Sequence, residues 1–379
     1  MSNKTITGSR LIVFDMDGVV TSEVGYWNAA RLSVGEILLS NRFFGGEKLR
    51  LSPAPLLAQW EPLLSRDVVF TLSQRCVNTN WDRAFVALGL QLLARVQLRP
   101  MRESVGKNNL RAQTLTGMFR QDGNLASLPR TDELLAAFLK KYPQLTGFDL
   151  GQQLGRDLSQ ETKLSIDQFA RSGALWKLCH RVFQEWYCGA KSPRKPGLLA
   201  DEEPLIPQKR LLKLLQNLRK AGFALGIATG RPEAELLPLL RRWRVLSLFE
   251  TRRIVTHDTV ARAQRGLKRL GISTPVSKPH PFSFAKALTP ELTARSAVNL
   301  TPQRTLGERP MIIIVSDTPG DILAAKHLNC VSIGIATLIG DRPTASVLKA
   351  AGADVVVESV GDLNVELVTS LLQTTVTRL

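Results

Sequence analysis

The sequence predicts an α/β protein: a parallel sheet with helical crossovers, interrupted early by a large helical insert. Three observations carry this. The runs Leu11-Ile-Val-Phe14, Phe223–Ala228 and Met311–Val315 are short, apolar and largely β-branched, and each ends at once in polar or glycine residues, as strands buried on both faces do. Segments with apolar residues at helical spacing alternate with them. Residues 20–205 keep that spacing but hold no run resembling a central strand.

In chain order, Leu11–Phe14 is the first strand and the insert follows it. Helices are predicted over Asp67–Val96, Asp132–Lys141 and Gly173–Tyr187, the last carrying Trp176, Phe183 and Trp186 near one face as insert core. Gly189–Pro207, with Pro193, Pro196, Pro204 and Pro207, reads as a return linker, and its Lys191, Arg194 and Lys195 as a solvated charge run. A helix over Gln208–Ala221, closed by Gly222, leads into strand Phe223–Ala228 and a second helix, Pro232–Trp243. Ile254-Val-Thr256 is a weaker strand, and the pair His257-Asp258 after it reads as surface loop. Strand Met311–Val315 precedes helix Thr318–Leu328, weaker strand Val331–Ile335, helix Pro343–Ala351 closed by Gly352, and weaker strand Val355–Val357. Such alternation gives parallel strands joined by right-handed crossovers. The expected domains are a core of residues 1–19 and 206–379 and a helical cap of residues 20–205.

Composition agrees with a packed fold. The chain has 379 residues, which at roughly 150 per domain suggests two domains. With 44% hydrophobic and 22% charged residues it is neither disordered nor collagen-like. Cys76, Cys179, Cys188 and Cys330 lack metal or redox spacing and are expected to be reduced and buried. Apolar runs fall far short of the ~18–20 residues that span a bilayer, and the first ten residues lack a small-residue cleavage site, so a cytoplasmic protein is expected. The net charge of +17 is concentrated: residues 206–270 hold 15 basic and 4 acidic residues, a candidate docking face for nucleic acid or anionic lipid. No repeated aromatic interleaving supports base stacking there.

In open α/β sheets the ligand site lies at the carboxyl ends of the strands. There the sequence places Asp15-Met-Asp17-Gly18, then Thr229-Gly230-Arg231-Pro232, then Ser316-Asp317-Thr-Pro-Gly-Asp321, with Lys278-Pro279 between the last two. Several converging carboxylates repel one another unless a cation sits among them, and oxygen ligands suit the hard ion Mg²⁺. A cation, a lysine ammonium and a hydroxyl would together bind a phosphoryl group. Asp15 would then attack phosphorus to give an acyl-phosphate, and Asp17 would protonate the leaving oxygen and later deprotonate water.

With these four motifs in this order, the sequence resembles the haloacid dehalogenase-like superfamily, and within it the phosphoglycolate phosphatase and β-phosphoglucomutase group, over roughly residues 10–26 and 206–360. The resemblance implies a Rossmann-like core with a cap inserted after the first strand, consistent with 214 positions separating Asp15 from Thr229 but only 49 separating Thr229 from Lys278. It implies Asp15 as nucleophile, Asp17 as general acid and base with its main-chain carbonyl on Mg²⁺, and Lys278 as counter-charge. It further implies Thr229 and Gly230 on the phosphoryl oxygens, Arg231 at the substrate, and Asp15, Asp317 and Asp321 at the metal. Asp17 sets dehalogenation aside, because the dehalogenases of the superfamily lack an acid there. The pattern departs from the family in Ser316, where glycine is usual, in Val19-Val20, and in a cap larger than that group carries.

The expected activity is Mg²⁺-dependent hydrolysis of a small phosphomonoester: a phosphosugar, a phosphoglycolate-like acid or a nucleotide. Two other readings stay open at this stage. One is a phosphomutase on the same scaffold; the other is a nucleic-acid- or membrane-binding protein using the basic 206–270 face.

Overall fold

The computed structural model describes residues 10–77, 79–98, 115, 119–120, 125, 128–298, 311–336, 338–339, 342–343 and 345–377. The N-terminal segment weighed as a leader lies mostly outside them. The chain divides into two compact units, Met1–Glu23 with Glu202–Leu379, and Val24–Asp201.

The first unit is built on a parallel sheet. Its strands are β1 (Arg10–Phe14), β4 (Phe223–Ala228), β5 (Ile254–Val255), β6 (Ile312–Ser316), β7 (Val331–Ile335) and β10 (Val355–Val357), in the order β10-β7-β6-β1-β4-β5. β2 (Ala190–Lys191) and β3 (Arg194–Lys195) lie in the second unit, and β8 (Leu338–Ile339) and β9 (Arg342–Pro343) form a separate antiparallel pair. β1 is therefore central, with Phe14 level with Ile227 on one side and Val315 on the other. From it the strand order runs outward in both directions, so a crevice opens beyond the carboxyl ends of β1, β4 and β6. Every residue of β6 and β7 is buried, which explains why their sequences are continuous apolar runs and not alternating ones.

Helices stand between the strands where the sequence predicts crossovers. Gln208–Lys220 buries Leu211, Leu214, Leu215 and Leu218, one stripe at helical spacing. Pro343 falls in β9, so the helix after it is shorter than predicted, Ala345–Ala350. His257 and Asp258 are not loop: they open the helix His257–Arg269, and the Asp258 carboxylate accepts from the Glu233 N–H at 2.7 Å, serving the start of the helix Glu233–Arg242.

The chain leaves and re-enters this unit at one place. Thr21 bridges Pro204, and Leu205 N–H donates to the Val20 carbonyl at 2.9 Å.

The second unit is mainly helical. Its longest helices are Val24–Leu39, Asn80–Leu98, Gly147–Thr162 and Ala174–Tyr187. A helix packs closely only where its surface is small: a Cβ on Gly35 would lie 2.1 Å from the buried Trp60 ring. The continuous helix predicted over Asp67–Val96 is two helices, Arg66–Gln74 and Asn80–Leu98. Cys76 takes a left-handed backbone, φ 59°, that ends the first, and nothing in its side chain announces this. Phe183 and Trp186 are wholly buried as expected, while Trp176 is half-buried with its Nε1–H on Asp82 at 2.8 Å.

The return linker holds a hairpin, β2 (Ala190–Lys191) and β3 (Arg194–Lys195). Adjacent strand residues face opposite ways, so Arg194 is exposed and Lys195 is not. The Lys195 ammonium, fully buried, meets Glu36 at 2.6 Å and Glu185 at 2.7 Å, and the Trp186 Nε1–H donates to the same Glu36 oxygen at 2.8 Å. Lys195 thus belongs to a buried ion network and not to a solvated charge run. Cys179 and Cys330 are buried, but Cys76 and Cys188 are exposed because each ends a helix at the surface. Among the described residues no helix is long and apolar enough to cross a membrane.

Candidate active site

β1 delivers Asp15 directly into the crevice. Its N–H still pairs with the Val315 carbonyl at 2.9 Å, so the sheet holds the backbone up to this side chain. The carboxylate Oδ1 accepts from the Met16 N–H at 2.8 Å. A tight turn follows, in which the Met16 carbonyl accepts from Val19, Val20 and Thr21 at 3.2, 2.8 and 2.8 Å. Gly18 has φ +76°, and a Cβ there would stand 1.9 Å from Asp317 Oδ2. The glycine after the second aspartate is therefore required twice, by the left-handed backbone and by the approach of the Asp317 carboxylate.

β6 ends at Ser316, whose hydroxyl donates to Asp321 Oδ2 at 2.7 Å. Thr318 caps the helix Pro319–His327, accepting from the Asp321 N–H at 3.3 Å, which fixes Asp321 in the first turn. Lys278 reaches across from the segment before the helix Phe282–Leu288 and joins the two acids, 3.0 Å from Asp15 Oδ1 and 2.7 Å from Asp321 Oδ2. β4 ends in Thr229, 1% exposed, whose Oγ1 accepts from the Arg231 N–H at 3.1 Å. Gly230 is exposed, with open space where a Cβ would stand.

The structure thus brings Asp15, Lys278, Asp321 and Ser316 into one bonded chain, with Asp317 against the Gly18 backbone. It does something different with Asp17. That carboxylate is engaged by the Thr21 hydroxyl at 2.8 Å and by the Arg231 guanidinium, whose Nε donates at 3.1 Å and whose Nη2 is closer still. Arg231, fully buried, also donates to Glu202 from Nη1 at 3.1 Å and Nη2 at 2.8 Å. Glu202 is absent from the sequence-level site. Nothing local marks it in Asp201-Glu202-Glu203-Pro204, and its partner lies 29 positions away.

The electrostatics are those of a crowded acidic pocket. Burial pushes Asp15 up from 3.8 to about 8, Lys278 opposes this, and Asp321 and Asp17 add to it. Burial likewise raises Asp317 well above the carboxylate range, with Glu23, Asp15 and Asp321 adding to it. Burial works against the Lys278 ammonium, but Asp15 and Asp321 outweigh it and hold it above its usual value.

These residues fit a hard divalent cation. Asp317 Oδ1 is buried with no hydrogen-bond partner, an orphan a cation would satisfy. The donor atoms are carboxylate oxygens whose mutual repulsion a +2 charge would relieve. Among the described residues no three such side chains already form a cage. A Mg²⁺ ion takes one or two carboxylates and fills its remaining positions with water and phosphate oxygens.

The basic residues of 206–270 lie on more than one element. They are spread over the helices Gln208–Lys220, Glu233–Arg242 and His257–Arg269 and the turn Thr251–Arg253. Several serve the fold: Arg253 donates to Glu250 and to the carbonyls of Ala287 and Leu288, and Arg242 donates to the Glu202 carbonyl.

No family model matches the chain, and no curated protein does. Solved structures do. The chain is similar to the X-ray structure of a Northeast Structural Genomics Consortium target, 25% identical over 98% of this chain and 100% of that one, with a TM-score of 0.70. It is also similar to a HAD family hydrolase from Deinococcus radiodurans R1 with bound phosphate and sodium, 15% identical over 96% and 97% of the two chains, TM-score 0.38. A putative β-phosphoglucomutase from Thermotoga maritima is 14% identical over 98% and 100%, TM-score 0.36. In fold and site, the chain is an α/β protein with acids at the carboxyl edge of a parallel sheet and a helical unit inserted after its first strand. All four motifs stand in order on that scaffold.

Proposed function

We propose that the protein is a Mg²⁺-dependent phosphatase acting on a small phosphomonoester through a phosphorylated Asp15. The observation that carries this reading is the bonded chain Asp15–Lys278–Asp321–Ser316 at the ends of β1 and β6, beside the buried and unpartnered Asp317 Oδ1. Mg²⁺, held by Asp15, Asp317 and the Asp17 main chain with Asp321 behind them, would neutralise charge on the phosphoryl oxygens.

The chain's own groups do the rest. Lys278 and the Met16 N–H fix the Asp15 carboxylate, and the ammonium remains beside the incoming phosphoryl group as counter-charge. Thr229 and the open backbone at Gly230 hold the phosphoryl oxygens. An Asp15 oxygen attacks phosphorus as the bond to the leaving oxygen breaks, and Asp17 delivers the proton that lets an alcohol depart. Asp17, now a carboxylate, takes a proton from water, which attacks phosphorus, frees Asp15 and releases inorganic phosphate.

The test is phosphate release by wild type and Asp15→Asn across phosphosugars, phosphoglycolate, nucleotides and 4-nitrophenyl phosphate, with Mg²⁺ and with EDTA. Release that requires both Asp15 and Mg²⁺ is expected. Activity that persists in Asp15→Asn refutes the covalent route, and phosphoryl return to a sugar phosphate in place of release marks a mutase.

A further inference from the structure

We propose that Arg231, held by Glu202, is a positioning residue for Asp17: a buried clamp that takes one carboxylate oxygen and leaves the other to carry the proton. This rests on the phosphatase reading. The sequence alone places Arg231 at the substrate; the geometry gives it a different task.

All the hydrogen bonds described at the Asp17 carboxylate fall on Oδ1. The Thr21 hydroxyl donates to it at 2.8 Å, Arg231 Nε at 3.1 Å, and Arg231 Nη2 closer. Oδ2 takes none of them. A carboxylic acid that must donate a proton needs one oxygen fixed and the other open, and this arrangement supplies both conditions. The Asp17 side chain is 20% exposed, whereas the guanidinium that grips it is fully buried.

Arg231 is itself held from three sides. Glu202, 2% exposed at its side chain, receives both terminal nitrogens in a fork-to-fork pair. The Arg231 N–H rests on Thr229 Oγ1, and its carbonyl accepts from the His257 N–H at 3.1 Å. The Glu202 main-chain carbonyl in turn accepts from Arg242. Glu202 is the first residue of the core unit after the insert, so it lies where the chain re-enters that unit. A planar, bidentate group is needed to bond Glu202 and Asp17 together, and lysine, a point charge, cannot replace it.

The experiment separates positioning from binding through the leaving group. A general acid matters most when the leaving oxygen is basic and least when it departs readily as an anion. With Mg²⁺ present, kcat/KM is measured along a series of aryl phosphates, from 4-nitrophenyl to unsubstituted phenyl, for wild type, Arg231→Met, Arg231→Lys, Glu202→Gln and Asp17→Asn.

Arg231→Met is expected to lose roughly 100-fold on phenyl phosphate, within the range general acid catalysis supplies, and several-fold at most on 4-nitrophenyl phosphate. The loss should lie in kcat. Arg231→Lys should fail to restore the phenyl phosphate rate, and Glu202→Gln should show a smaller version of the same slope. Adding Arg231→Met to Asp17→Asn should cost little further, because both act on one proton transfer. An equal loss for every leaving group, or a rise in KM alone, would overturn the clamp and return Arg231 to the substrate. Inactivity of wild type along the whole series would remove the phosphatase reading itself and the clamp's role with it.

Discussion

Burial raises the Asp15 carboxyl, with Asp321 and Asp17 adding to it and Lys278 opposing it, and in the metal-free protein this shift can be read as stability. The perturbation is pH, with Asp15→Asn as the control and Mg²⁺ as the remedy. Asp15 stands at about 8 in the folded protein against 3.8 ordinarily, because it is buried beside Asp321 and Asp17. A carboxyl raised in the folded state binds its proton more tightly there than when unfolded. Between about pH 4 and pH 8 the metal-free protein therefore loses stability as pH rises. Each unit is worth about 1.4 kcal/mol, so going from about pH 5 to about pH 7 costs on the order of 3 kcal/mol at this one site. At roughly 2–4 °C per kcal/mol for a domain of 150–250 residues, the midpoint should fall by on the order of 10 °C. The assay is thermal unfolding in EDTA at both pH values, followed by Mg²⁺ at the higher one. Wild type should show the fall and recover with Mg²⁺; Asp15→Asn, which cannot ionise, should show a flatter profile and little Mg²⁺ effect. Parallel pH profiles for the two proteins in EDTA would refute the reasoning.

Gly18→Ala should abolish Mg²⁺ binding in a calorimetric titration, since the new Cβ overlaps Asp317 Oδ2 and the backbone there has φ +76°. Lys195→Met removes the cation facing the buried Glu36, and should destabilise the insert by about 3–5 kcal/mol in denaturant unfolding, with Glu36→Gln added to it restoring part of the loss. A thiol reagent should label Cys76 and Cys188 in the native protein, while Cys179 and Cys330, buried and with Cys330 pushed up to about 12, should react only on unfolding. Mass spectrometry of the labelled peptides distinguishes these outcomes.

The sheet is readable in the sequence because its inner strands are buried on both faces, and Met311–Val315 and Leu11–Phe14 can hardly be anything else. The acids, Thr229 and Lys278 are readable because each stands next to a strand end or in a short motif. What the sequence hides is of two kinds. Glu202 and Lys195 act through partners 29 and 159 positions away, Arg231 and Glu36, and no local spacing encodes such pairs. The break between Gln74 and Asn80 depends on a left-handed cysteine, a conformation glycine usually advertises.

The central place of β1 bears on the order in which the molecule can assemble. Its two neighbours, β4 and β6, are translated long after it, with the whole insert between β1 and the first of them. On the ribosome, the first strand made waits without a partner while the helices of Val24–Asp201 emerge and collapse. Once they have, the ends of the insert are drawn together, the Thr21–Pro204 bridge can zip, and joining β1 to β4 no longer requires closing a disordered loop of roughly two hundred residues. The helices of the insert should then be the first part of the nascent chain to acquire protection from proteolysis.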